Sequence, residues 1–141
     1  MHIGLDFGTT TTVASVFDGR EVRLLPLDPA DATPAVMRSM LLISRDGEIL
    51  VGREAVDAYT AANVGRAIQY AEVYVGTIEM TFDRVGTMIK DVHAFVDANS
   101  PARLFQSLKT ALRDPSYTAA DVFGTRMRIE EIAAVYLREV R

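Results

Sequence analysis

Residues 1–19 read MHIGLDFGTTTTVASVFDG. An apolar run carries one carboxylate, Asp6, then Gly8, then four consecutive threonines, then a β-rich run ending at Asp18-Gly19. This order predicts a strand over HIGLD, a tight turn at the glycine and a second strand over TTVASVF. Gly8 lets the backbone bend and lets another group come close. Successive N–H groups in such a turn make an anion nest, and threonine hydroxyls add donors. A carboxylate repels phosphate oxygens, so an acid beside that nest is sensible when a magnesium ion, held largely through water, bridges the two. The same residues also suit a plain hairpin with a solvated acid and β-favouring threonines, and the stretch alone leaves both readings open. No lysine follows the glycine as in a P-loop, and there is no three-glycine dinucleotide fingerprint. The turn joins two strands, so no helix dipole takes part.

Further along, EVRLLPL follows Asp18-Gly19, and VMRSMLLIS and EILVG flank a second aspartate-glycine, Asp46-Gly47. Each pair tolerates positive φ at both turn positions, so two hairpins are expected. DPADATP between them is a loop. Ala55, Ala58, Tyr59 and Ala62 recur at helical spacing after Gly52, and VYVGTIEMTF alternates as a strand does. Val85, Met88, Ile89, Val92 and Val96 mark another helix, weakened by Gly86. Ser100-Pro101 reads as an N-cap with proline in the first helical turn. Ile129, Ile132, Ala133, Tyr136 and Val140 form an amphipathic helix that runs to the last residue without a cap, which suggests a piece of a longer protein.

The 141 residues are 49% hydrophobic and 24% charged, enough apolar mass for a packed core. A net charge of −4 offers no basic surface for nucleic acid or anionic membrane. Without cysteine there is no disulfide, thiolate metal site or cysteine nucleophile. No basic leader segment and no membrane-length apolar run occurs, so a cytoplasmic location is expected. His2 and His93 stand apart from other ligand types, the methionines scatter through apolar positions, and Arg126 and Arg128 read as a solvated helix entry.

IGLDFGTTTTVASVFDGREVRLL resembles the first phosphate motif of the actin-like ATPase superfamily, and most of all that of the DnaK-type heat-shock chaperones of the seventy-kilodalton class. Three further blocks follow in family order. TPAVMRSMLLISRDGEILVGREAVDAY resembles the segment in which a Thr-Pro loop leads to a strand, a turn and an apolar-Gly-x-x-Ala helix start. LFQSLKTALRD resembles the region of the catalytic lysine, and RIEEIAAVYLREV the helix that opens on paired glutamates. Together the blocks cover about half of the chain. The resemblance implies that Asp6 organises magnesium and its waters, that Gly8, Thr9 and Thr10 wrap the β- and γ-phosphates of ATP or ADP, and that Lys109 contacts the γ-phosphate or orients water. Such a lysine suits phosphoryl transfer, which is catalysed mainly by positioning and charge. The bland alternative for Lys109 is an exposed surface lysine.

The chain departs from the family in its run of threonines, in Leu112-Arg113 where a leucine-glycine pair is common, and between Val64 and about Asn99. Pro34-Ala35 and Arg38-Ser39 both compete for the place of the family's Pro-Ser pair. These features point to a divergent branch. The second phosphate loop, the adenosine segment and the substrate-binding domain are not among these residues.

The expected fold is therefore α/β, the N-terminal fragment of a ribonuclease-H-like actin and heat-shock-chaperone ATPase. Residues 1–45 and 127–141 would belong to the nucleotide-cradling subdomain, and residues 46–126 to an inserted smaller subdomain lining the cleft. The implied function is ATP-driven gripping of unfolded protein segments, with co-chaperones acting through parts outside this chain. A sugar-kinase-like phosphotransferase and an actin-like filament or scaffold ATPase are the alternatives. The fragment alone is expected to be inactive, to bind ATP no better than about millimolar, and to self-associate through an uncovered stripe of Ile129, Ile132, Tyr136 and Val140.

Overall fold

The computed structural model describes residues 1–83 and 86–140. β1 (His2–Phe7), β2 (Thr11–Phe17) and β3 (Val22–Leu24) form an antiparallel meander, and β4 (Met37–Arg38) joins it by pairing with Thr11 and Thr12. β5 (Met40–Ser44) and β6 (Ile49–Val51) make the second hairpin, at Asp46-Gly47, and lead directly into α1 (Gly52–Asn63). β7 (Tyr70–Phe82) and β8 (Gly86–Asp97) form a long two-stranded ribbon. β9 (Ala102–Gln106) returns to pair with β5 and is followed by a single helical turn, α2 (Leu108–Ala111). The hairpin of β10 (Ala119–Val122) and β11 (Thr125–Arg128) then enters α3 (Ile129–Glu139).

Two compact units result. One comprises Met1–Val64 with Pro101–Arg141, the other Gly65–Ser100. In the first, Met37, Leu41, Ile43, Leu108, Val122, Ile129, Ile132 and Tyr136 form the main buried cluster. Leu42, Ala55 and Ala102 form a smaller one, flanked by Ala58, Tyr59 and Leu104, which packs α1 on the β6-β5-β9 sheet. Successive residues of β5 serve opposite clusters, as the pleat requires. Among the described residues no helix is long and apolar enough to cross a membrane.

Both aspartate-glycine hairpins form, as do α1, β7 and α3. Two expectations fail. Residues 86–97 are a strand, because Met88, Val92, Ala94 and Val96 also alternate with period two and β7 offers a ladder from Tyr70↔Asp97 to Phe82↔Gly86. A register shift after Tyr74 moves Val73, Ile78, Met80 and Phe82 onto the same face as that set. Val85, the first member of the expected helical stripe, lies outside the described residues. Ser100-Pro101 does not start a helix either. The Pro101 carbonyl accepts the Arg45 N–H at 2.9 Å, which launches β9 as a partner of β5. Sheet pairing outweighs the local capping signal there.

The apolar stripe of α3 is not left uncovered. Ile129, Ile132 and Tyr136 are 2%, 0% and 0% exposed, buried against residues of this same chain. Met37 of β4, Leu41 of β5 and Val122 of β10 share one buried cluster with that stripe. Glu131 caps its start by accepting the Arg128 N–H at 2.8 Å, and that bond holds the Glu131 carboxyl below its ordinary range. Arg126 and Arg128 are exposed on β11 at the entry to α3, as expected, and Arg128 pairs with Glu131 at 3.4 Å.

Candidate functional site

β1 and β2 pair from His2↔Phe17 to Phe7↔Thr12, so residues 8–10 form the connection between them. The Gly8 N–H donates to the Thr11 carbonyl at 2.9 Å and closes the turn. A Cβ on residue 8 would stand 2.4 Å from that carbonyl oxygen. The glycine is thus demanded by the turn itself, which answers why the chain sheds its bulk at this point.

Below the loop lies a chain of buried hydroxyls. Tyr136 Oη donates to Thr12 Oγ1 at 2.8 Å, Thr12 Oγ1 lies 3.0 Å from Ser39 Oγ, and Ser39 Oγ donates to the Gly8 carbonyl at 3.0 Å. Each hydroxyl carries one proton, so the direction is fixed. Ser39 gives its proton to Gly8, Thr12 must give to Ser39, and Tyr136 gives to Thr12. The Ser39 N–H also donates to the Thr10 carbonyl at 2.8 Å. Two carbonyls of the loop are therefore held from beneath by one serine, which α3 supports through Tyr136. Burial pushes the Tyr136 phenol up from its ordinary value, which keeps the donor at the head of the chain protonated. Phe7 completes the platform by packing on the Tyr136 ring, with centroids 5.6 Å apart.

Above the loop the groups are open. Thr9 and Thr10 are exposed, and their N–H groups find no hydrogen-bond partner among the described residues. Asp6 is exposed at the end of β1, directly opposite Val13. Because alternate residues face alternate sides, Asp6 and Val13 share a face with Thr11, while Phe7 and Thr12 share the buried one. The Gly8 and Thr10 carbonyls are thus held in fixed bonds, while Thr9 and Thr10 stay exposed. That arrangement presents donors to an anion, with one carboxylate at the margin for a cation. Among the described residues no three His, Asp or Glu side chains gather to hold a metal unaided. A magnesium ion here would be held by one carboxylate, water and the oxygens of its ligand.

Asp6, Gly8, Thr9 and Thr10 are brought together by local hairpin geometry. Lys109 enters from α2, about a hundred residues later, and is exposed without hydrogen bond or ion pair among the described residues. Its neighbour Leu108 is 2% exposed in the same cluster that Phe7 packs against. The helical turn carrying Lys109 and the strand carrying Asp6 therefore share one core. Of the two histidines, His2 stacks on Phe17 and His93 lies 3.7 Å from Glu72.

Ser39, Thr12 and Tyr136 escaped the reading of the sequence. Nothing in periodicity reveals that three separated hydroxyls converge; the only trace was Arg38-Ser39, one of the two pairs competing for a Pro-Ser register. No family model matches the chain.

Proposed function

We propose that this chain is the N-terminal part of an ATP-binding, ATP-hydrolysing protein related to the DnaK-type chaperones, with residues 8–10 as its first phosphate loop. The observation that carries the reading is the polarity of that loop. Its carbonyls are tied down by Ser39 while the N–H groups of Thr9 and Thr10 stay open beside the Asp6 carboxylate. Phosphoryl oxygens accept from those donors, and magnesium on Asp6 neutralises the charge that the donors alone leave uncompensated. Lys109, arriving on a separate element, serves as the γ-phosphate contact or the residue that orients water. Residues 1–45 and 127–141 then belong to the nucleotide-cradling subdomain of an actin-like ATPase fold, and residues 46–126 to the smaller one.

ATP or ADP with magnesium are the cofactors in this reading. Unfolded protein segments and co-chaperones are the partners, reached through parts beyond these residues, and the compartment is the cytoplasm. The sugar-kinase and filament readings use the same loop and would differ elsewhere.

The test is an amide-resolved NMR titration of the chain with Mg-ATP to about 10 mM, since one loop supplies too few contacts for tight binding. Shifts centred on Thr9 and Thr10, dependent on magnesium and weakened in Asp6→Asn, are expected. Silence at Thr9 and Thr10 across that range would refute the assignment.

A further inference from the structure

The Ser39 N–H donates to the Thr10 carbonyl at the ladder position beyond Thr11↔Arg38, and the Thr10 N–H returns no bond among the described residues. Thr11 and Arg38, next in register, are then the non-hydrogen-bonded pair, whose side chains stand closest on a common face. That face is the one carrying Asp6. β1 and β4 flank β2, and the two registers differ by two residues, so Asp6 and Arg38 are separated by about 12 Å across the sheet. A polyphosphate with its magnesium fits that span.

A cleft of about 290 Å³ opens beside the loop, lined by Thr10, Thr11, Asp31, Thr33, Val36 and Arg38. The Arg38 side chain is 51% exposed, and its Nε lies 3.6 Å from an Asp31 carboxylate oxygen, beyond hydrogen-bond reach. Asp31 is itself fixed by accepting the Thr33 N–H at 3.0 Å, and that bond keeps its carboxyl below the ordinary range. Asp31 thus engages the guanidinium at its Nε edge, and no other partner of the guanidinium is found among the described residues. The hydroxyls of Thr10, Thr11 and Thr33 are unengaged among the described residues. The Asp31 carboxylate in the same lining stays with Arg38, and since guanidinium and amide groups only donate, the ligand that fits them is one that accepts. A phosphoryl group is that ligand, and the planar fork of arginine binds its oxygens in pairs.

We propose that Arg38 is a phosphate-binding residue of this site, supplying the fixed positive charge that the loop lacks for want of a P-loop lysine. This rests on reading residues 8–10 as a phosphate loop. The ligand chemistry is a polyphosphate chain, whether free or carried by a nucleotide. It is tested by titrating the isotope-labelled chain with magnesium tripolyphosphate, Mg-ATP and adenosine, following the Thr9 and Thr10 amides and the Arg38 Nε–H resonance.

The Arg38 signal should move with both polyphosphates and not with adenosine. Arg38→Gln should weaken tripolyphosphate about ten-fold, and Arg38→Lys should restore part of the loss without the arginine fork. Movement with Mg-ATP alone would make the nucleotide, and not its phosphates, the source of recognition and overturn the proposal. Unchanged affinity in Arg38→Gln, with Thr9 and Thr10 still shifting, would overturn the role of Arg38 and leave the loop reading intact. No response at Thr9 and Thr10 in the unaltered chain would overturn both. Arg38 is half-exposed, so amide dispersion in the variants provides the folding control.

Discussion

Replacing Ser39 by alanine tests whether the buried hydroxyls act as one unit. The serine is 2% exposed, and Thr12 and Tyr136 are fully buried. Ser39→Ala removes the acceptor of the Thr12 proton and the donor to the Gly8 carbonyl, two contacts of 3.0 Å each. Thr12 cannot redirect its proton to Tyr136 without displacing the proton that Tyr136 already gives it. A buried donor is left stranded, at about 1–3 kcal/mol. The Gly8 carbonyl lies in a half-exposed position, so water replaces its partner and only about 0.5–1 kcal/mol is lost there. The sum is about 1.5–4 kcal/mol, or a fall in Tm of roughly 5–15 °C for a chain of this size. Urea unfolding followed by circular dichroism measures it. The triple variant Tyr136→Phe, Thr12→Val, Ser39→Ala removes every member and strands none, so it should cost clearly less than the three single changes added together. A Ser39→Ala loss below about 0.5 kcal/mol, or strict additivity of the triple, would refute the network.

Gly52 sits at φ +62°, and a Cβ there would lie 2.3 Å from Asp28 Oδ2 and 2.8 Å from Met37 Cγ. Gly52→Ala should therefore destabilise by about 3 kcal/mol or more, combining left-handed strain with overpacking, as read by urea midpoint. Burial holds the Tyr136 proton in the folded chain above its ordinary value of 10.0. Stability should then be unaffected by this group below about pH 10 and fall as pH rises beyond it, since the unfolded chain releases the proton first. Tyr136→Phe should remove that alkaline component in pH-dependent melts, and an unchanged profile would contradict it. Asp6→Asn should change stability by less than about 1 kcal/mol, because the residue is exposed and finds no partner among the described residues. In a chain carrying both nucleotide lobes the same change should lower ATP turnover at least about ten-fold, measured by phosphate release.

Features under local chemical control were legible from the residues alone. Aspartate-glycine pairs specify tight turns because of positive φ, and both hairpins followed. Gly8 specified the bend between β1 and β2, and the spacing of Ile129, Ile132, Ala133 and Tyr136 specified the face that α3 buries. Gly52 and Ala55 were visible as a helix start, although the reason lay elsewhere. Asp28, 25 residues away, accepts the Arg53 N–H at 2.7 Å and occupies the space that a side chain on residue 52 would need.

The remainder depended on long-range packing and pairing. The 86–97 segment carries apolar residues that fit both a helix and a strand, and pairing with β7 chose between them. Residues 102–106 became a strand because β5 had a free edge to receive them, which no capping signal at Ser100 reports. The candidate site divides in the same way. Asp6, Gly8, Thr9 and Thr10 were legible because they are contiguous and make their own turn. Ser39, Thr12, Tyr136 and Arg38 were not, because a hydrogen bond between residues 124 apart leaves no period in the sequence. Which side of the loop is locked and which is open is a property of the packed sheet, since only burial decides which donors must find a partner within the protein.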